Sequence, residues 1–289
     1  MTKPPLWPAH LHHFCLDTPQ VDAVVPWYET HLEMESEKLA DGSVWLLGRQ
    51  RNIVFRPAAE KAFGYVAYAL ADADQLARLD ADLAAKGVAR PDIRSPVFGD
   101  GPGGPDGPGG QIAIVDTDGK CFVFGLPVRA ETDTPDHLPG RLQHLGICTT
   151  DMDSLIAFFT GMIGFRASDI VKNDDGGVSA CFLRSDHEHH DLALFAASSS
   201  RFDHQCYETT CWNDIRDWGD HFAAQHTEIE WGAARHGAGN NLFIFVRDPD
   251  GNPVELSAEL ETRDFDAVPG EWKTEPRTLN LWGSAWTRD

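Results

Sequence analysis

His144-Leu-Gly-Ile-Cys-Thr-Thr150 reads as a β-strand, and it has a sister in His12-His-Phe-Cys-Leu-Asp-Thr18. The segments downstream of the two strands are also alike. After the first comes a helical stretch, Val21 to Leu32, then short strands near Val44–Leu47 and Ile53–Phe55. After the second, Asp151 opens a helix with Met152, Leu155, Ile156 and Phe159 on one face, and strands come next near Val178–Arg184 and His190–Phe195. Phe63-Gly-Tyr-Val-Ala-Tyr-Ala69 matches Phe202-Asp-His-Gln-Cys-Tyr-Glu208 in place. A helix comes after each. The first carries Leu76, Leu79 and Leu83 on one face and stops at Gly87, and the second lies around Asp214–Gln225. The turns Asp116-Thr-Asp-Gly119 and Asp248-Pro-Asp-Gly251 then correspond, each beside strand residues. The chain is therefore one unit written twice, each copy reading β-α-β-β-β-α-β-β. The fold class is α+β, with modules at 1–127 and 141–261, a Pro- and Asp-rich connection at 128–140, and a tail at 262–289. That tail carries Trp272, Trp282 and Trp286, rings large enough that they are expected to pack back on the protein.

Composition narrows the function. With 289 residues and 42% apolar content the chain can bury a core without disulfides. Its net charge is −21 and it has no basic stripe, which argues against nucleic acid, since phosphate binding needs clustered cations. Six cysteines without a Cys-x-x-Cys pair read as reduced thiols. No apolar run reaches membrane-spanning length and no signal peptide precedes the first strand, so a cytoplasmic protein is expected, and with it a homo-oligomer. The Gly/Pro tract Gly99–Gly110 reads as a mobile loop; it lacks the Lys-Ser/Thr ending of a phosphate-binding loop.

Three residues stand out for chemistry. His144 begins a strand, His204 lies at the same depth of another, and Glu255 sits on the strand after the Gly251 turn, among Pro253, Val254 and Leu256. A carboxylate in such company is costly to bury unless a cation neutralises it. Two histidines and one carboxylate with positions left open form a metal-ligand set suited to oxygen chemistry. The repeat supplies a control. The first-half counterparts are read as His12, Tyr65 and Val123, so the fold alone does not require ligands at these places.

The tandem module resembles the vicinal oxygen chelate superfamily. The run Ala234-Arg-His-Gly-Ala-Gly-Asn-Asn-Leu-Phe-Ile-Phe-Val-Arg-Asp-Pro-Asp-Gly-Asn-Pro-Val-Glu-Leu256 resembles the fingerprint of its two-domain type I extradiol ring-cleaving dioxygenases. The resemblance implies two modules of paired βαβββ units forming open barrel-like cups, with the metal only in the second. It implies cleavage of a catechol-type aromatic diol by O₂ at a non-haem Fe(II), with Mn(II) the alternative. On the same basis His190 is an acid/base residue, although the spacing alone leaves His187 or His189 open. His236 is a second histidine near the substrate oxygen, and Arg277-Thr-Leu-Asn-Leu-Trp-Gly283 resembles a lid. Phe245, Asn241 and Arg277 are expected to contact substrate. Phe245 departs from the family, which usually has tyrosine there, so one hydroxyl donor is missing.

The same fold admits two rival readings. A glyoxalase-like isomerase or lyase would need a fourth ligand, often a second carboxylate, and none is found at Tyr65 or Val123. A bleomycin-resistance-like binding protein would need no metal ligands at all.

Overall fold

A computed structural model describes residues 2–99, 110–129 and 137–286. The Gly/Pro tract and most of the connection between modules fall outside the described residues. The first module runs β1 (His10–Thr18), α1 (Val21–His31), β2 (Glu35–Lys38), β3 (Val44–Gly48), β4 (Arg51–Pro57), β5 (Ala62–Ala69), α2 (Ala73–Ala85), β6 (Gln111–Val115) and β7 (Cys121–Gly125). The second runs β8 (Arg141–Thr149), α3 (Met152–Ala157) with a π-helical turn Phe158–Ile163, β9 (Arg166–Lys172), β10 (Val178–Arg184), β11 (Leu192–Ala196), β12 (Arg201–Thr209), α4 (Trp212–Ala224), β13 (Trp231–Arg235), β14 (Leu242–Arg247) and β15 (Pro253–Ala258). The tail adds β16 (Gly270–Lys273) and the short α5 (Pro276–Leu279).

Local chemistry explains the helices. Asp72 caps α2 by accepting from the Gln75 amide at 2.7 Å, and Leu76, Leu79 and Leu83 are buried on its inner face. Gly87 then takes a left-handed conformation at φ +71°, where a Cβ would be strained, and the helix ends. On α4, Asp214 accepts from the Cys211 amide at 3.1 Å while Ile215, Trp218 and Phe222 turn inward.

The strands form two curved sheets, ordered β2-β3-β4-β1-β5-β7-β6 and β13-β14-β15-β12-β8-β11-β10-β9-β16. In each, β1 or β8 lies between a parallel and an antiparallel neighbour, as pairing two βαβββ units requires. Neither sheet closes on itself, so each is an open cup and the α+β reading holds. Three strands escaped the sequence reading, namely β2, β9 and β13. The tail strand β16, which pairs in parallel with β9, escaped it too. Trp272 is half-buried there and Trp286 stacks on Trp231, so the tail packs back on the protein as expected, with Trp282 left 57% exposed.

A single apolar core, including Phe14, Tyr28 and Phe124 from one module and Leu145, Tyr207 and Trp218 from the other, runs between them. Polar ties cross it. Tyr28 donates to Asp248 at 3.0 Å, Tyr68 to Asp191 at 3.3 Å, and the Leu142 amide to the Gln50 carbonyl at 2.9 Å. The inner face of the first cup is filled by Trp45, Tyr65, Val97, Phe98 and Val123. The Phe98 ring presses so close to Gly125 that an added Cβ would lie 2.5 Å from it. In the second cup the apolar lining is split into two small groups, one around Phe182 and Phe195 and one around Trp231, Phe243 and Phe245.

Candidate metal centre

Two one-residue slips in register build the site. Along the antiparallel β8–β12 pair, Cys206 faces His144 but Tyr207 faces Leu142, leaving Gln143 extra. Further along, Phe202 faces Ile147 and His204 faces Gly146, leaving Asp203 extra. Such bulges re-aim neighbouring side chains. Each histidine therefore has a bulge residue beside it, and that residue holds its ring. The Nδ1–H of His144 donates to the Gln143 amide oxygen at 2.6 Å, and that of His204 donates to the Asp203 carboxylate at 2.6 Å. Gln143 is oriented in turn, because its amide nitrogen donates to the His190 carbonyl at 2.5 Å. Gly146 is needed beneath, because a Cβ there would run into the His204 ring. Glu255 arrives on β15, level with Cys206 on one side and Phe245 on the other.

The same slips occur in the first module, at His12 and Gly64. They correct the counterpart read from sequence. His13, not His12, occupies the place of His144, while Tyr65 and Val123 do occupy those of His204 and Glu255. His13 is buried and hydrogen-bonded to Ser95 at 2.6 Å, with Tyr65 on the same hydroxyl.

With each Nδ1 carrying the hydrogen, both Nε2 atoms present lone pairs. They lie 3.1 Å from each other, and 3.3 and 3.5 Å from Glu255 Oε2. Three buried acceptors thus converge with no hydrogen among them, an arrangement that repels itself unless a cation sits between. Among the described residues this is the one cluster of three or more such groups placed to hold a metal ion. Burial pushes the His144 imidazole down to about 4, against the opposing pull of Glu255. Burial alone would raise the Glu255 carboxyl, yet His144 and His236 hold it well below the usual range. His144 is therefore held neutral beside an ionised Glu255, the donor states a divalent cation needs.

The other expected residues are distributed around this triad. His190 faces it, its ring 4.3 Å from that of His144. Its Nδ1 meets His189 Nδ1 at 2.9 Å, leaving Nε2 for the cavity. His189 stands behind, 3.0 Å from Asp169, and His187 is on the surface, bonded to the Arg263 carbonyl. His236 stacks on Phe243 at 3.9 Å, gives its Nδ1–H to the Leu279 carbonyl, and brings Nε2 to 3.3 Å from Glu255 Oε1. Phe245 lines the cavity 5.7 Å from the His204 ring. Asn241 is not brought to the cavity. It is buried behind Glu255, to which it donates at 3.4 Å. Arg277 is exposed and lines no wall of the site.

The cavity over the triad measures about 30 Å³ and is walled by Phe182, Phe195, Trp231 and Phe245 and covered by Thr278 and Leu279. A benzene ring takes a cavity of roughly 150 Å³, so a ring reaches the triad only when part of the cover moves. The cover is the tail. It can lie this close because of Gly237, where a Cβ would be 2.6 Å from the Arg277 carbonyl oxygen and 2.9 Å from that of Thr278. Sequence reasoning did not single out Gln143, Asp203, Gly146 or Gly237, although each adjoins or closely follows a candidate histidine.

Residues 141–256 match the Glyoxalase/Bleomycin resistance protein/Dioxygenase superfamily. The chain is 25% identical over 236 residues to a metapyrocatechase of Pseudomonas sp. (strain CF600), covering 76% of this chain and 75% of that one. Among solved structures, homoprotocatechuate 2,3-dioxygenase from Arthrobacter globiformis superposes with TM-score 0.81 at 19% identity, over 99% of this chain and 91% of that one. A Mn(II)-bound glyoxalase from Novosphingobium aromaticivorans gives 0.79 at 23%, over 95% and 90%. The likeness to the solved structures establishes the shared fold. The resemblance read from the Ala234–Leu256 run is thereby borne out.

Proposed function

We propose that this chain is an extradiol ring-cleaving dioxygenase acting on a catechol-type diol, with Fe(II) or Mn(II) held by His144, His204 and Glu255. The observation that carries the reading is the convergence of two Nε2 lone pairs and Glu255 Oε2 within 3.5 Å, each histidine locked by a bulge residue. A divalent metal held by His144, His204 and Glu255 would supply Lewis-acid and redox chemistry for the reaction of the diol with O₂.

The remaining roles fall to the chain's own groups. His190 Nε2 faces the cavity with Nδ1 occupied, so it can accept a proton from a diol hydroxyl and return it. Burial, reinforced by the neighbouring imidazoles, holds His190 well below its ordinary range, so it stands neutral and ready to accept. His236 keeps Nε2 against Glu255 and within reach of the cavity, and its Nδ1–H is spent on the Leu279 carbonyl. Phe182, Phe195, Trp231 and Phe245 keep bulk water from the reacting ring. Phe245 supplies no hydroxyl, so proton handling rests on His190 and His236.

The isomerase reading is less well supported, because among the described residues no carboxylate besides Glu255 lines the cavity. Anaerobic loading with Fe(II), then with Mn(II), and then oxygen uptake with a panel of catechols tests the proposal. About one O₂ consumed per catechol, with a yellow ring-opened product, is expected. A fully loaded protein that takes up no oxygen with any of them would overturn it.

A further inference from the structure

Beside the metal cavity lies a second chamber, of about 300 Å³, between β9–β11 and the tail. The two share Phe195, Thr278 and Leu279 as walls, so they adjoin across these residues, two of which belong to the cover of the metal site. The chamber is faced by Val171, Ala180, Phe195, Pro276 and Trp286. Its hydroxyls are already partnered. Ser179 and Thr274 bond each other at 2.5 Å, and Thr278 donates to the Lys273 carbonyl at 2.5 Å. Among the described residues no lysine or arginine lines either space, and the one ionisable group on the chamber is the exposed Glu275.

We propose that this chamber takes the ring substituent of the substrate, and that the substituent is uncharged and apolar, a short alkyl chain or an aryl ring. The inference rests on the ring-cleavage reading above and names its substrate class. A diol bound at the triad would have its ring in the metal cavity, and the chamber is the space next to it across Phe195, Thr278 and Leu279. An apolar substituent placed there leaves water for a lining whose polar groups need nothing from it. A carboxylated substituent would find no cation among the described lining residues, would meet Glu275, and would lose its hydration without replacement. The net charge of −21 works in the same direction.

The test compares catechol, its 3- and 4-propyl derivatives, and the matching dihydroxyphenylpropanoates, which carry a carboxylate in place of the terminal methyl. Binding is measured by calorimetry on the metal-loaded protein without oxygen, and kcat/KM by oxygen uptake. Each buried methylene adds about fourfold in affinity, so one propyl isomer should bind at least tenfold tighter than catechol. The propanoates should bind more weakly than the propyl compounds by a similar factor. Ala196→Trp and Ala285→Trp, which place a ring in the chamber from opposite walls, should each cut the propyl-over-catechol ratio at least fivefold. Catechol binding as tightly as both propyl isomers, or a propanoate binding best, would overturn the proposal, as would a propyl preference that survives both substitutions. If the preference appears in calorimetry but oxygen is never consumed, the ring-cleavage reading falls and the apolar subsite stands. If oxygen is consumed without any preference, the subsite alone falls.

Discussion

At the scale of single residues the site separates groups that hold a metal from groups that would act on what the metal holds. His204→Ala and Glu255→Gln should each strip bound metal while leaving the fold, because the first module folds with Tyr65 and Val123 in those places. Metal analysis alongside circular dichroism checks this, and full occupancy in both variants would defeat the assignment. Asp203→Asn is a finer probe. It keeps a hydrogen-bond acceptor for His204 Nδ1 but removes the charge, and outer partners of this kind are worth about 10–100-fold in metal affinity. Metal titration with a competing chelator should show a loss of that order. His190→Phe should leave metal content unchanged and lower turnover by about 10²–10⁴-fold, the usual contribution of a positioned acid/base group. Turnover equal to the parent would instead move the role to another residue. Phe245→Tyr should remain active at matched metal content, since the ring already stands 5.7 Å from His204 and a hydroxyl adds a donor without moving it.

At the scale of elements, what was legible in the sequence and what was not have physical causes. Apolar periodicity revealed α2 and α3, and the repeat revealed the sister strands β5 and β12. Strands β2 and β16 were missed because they carry charge and lie mostly exposed at or near sheet edges, so neither shows the apolar alternation that marks a strand. The triad could be read because a carboxylate among apolar neighbours is conspicuous. The bulges could not, because an extra residue in one strand shows only against its partner. That is why His12 was taken for the counterpart of His144 when the slip makes it His13. Asn241 and Arg277 were carried over by resemblance, and side-chain direction then separated them from the cavity. The tail tests the element view. The Thr278 carbonyl accepts from the Gly237 amide at 3.0 Å and the Ala238 amide at 3.2 Å, clamping α5 over the cavity. Gly237→Ala should push α5 away, raising KM and speeding proteolysis of the tail without loss of metal. Tail cleavage at the parental rate would show that the close approach does not hold the cover.

At the scale of the whole molecule the two modules behave as one body because polar ties pass through their common core, and Asp191 is the most exacting of these. It lies just after His190 and is buried. It accepts from the Ser185 amide at 2.8 Å, from the Ser185 hydroxyl, and from Tyr68 of the first module at 3.3 Å. Ser185 in turn donates to the Ala9 carbonyl at 3.1 Å, so the cluster joins both halves. Burial, with Asp186 adding to it, raises the Asp191 carboxyl to about 8, and the three donors only partly offset this. In the unfolded chain the same group titrates near 3.9. Between these values the folded state keeps a proton that the unfolded state has released, so folding takes up a proton there. The contribution of Asp191 to stability is complete below about pH 4 and is lost as pH rises through about 8. Asp191→Asn removes the ionisation and keeps an oxygen that can accept from Ser185. It should therefore cost stability at low pH and cost progressively less as pH rises. Thermal melts of both proteins in steps from pH 4 to pH 8 would show the gap in Tm narrowing and then reversing, given the raised carboxyl near 8. A gap that stayed constant over that range would mean that Asp191 is ionised in the folded protein. In that case Tyr68 and Ser185 would be holding a buried carboxylate, and the joint between modules would be stabilised by charge-assisted hydrogen bonds and not by a neutral acid.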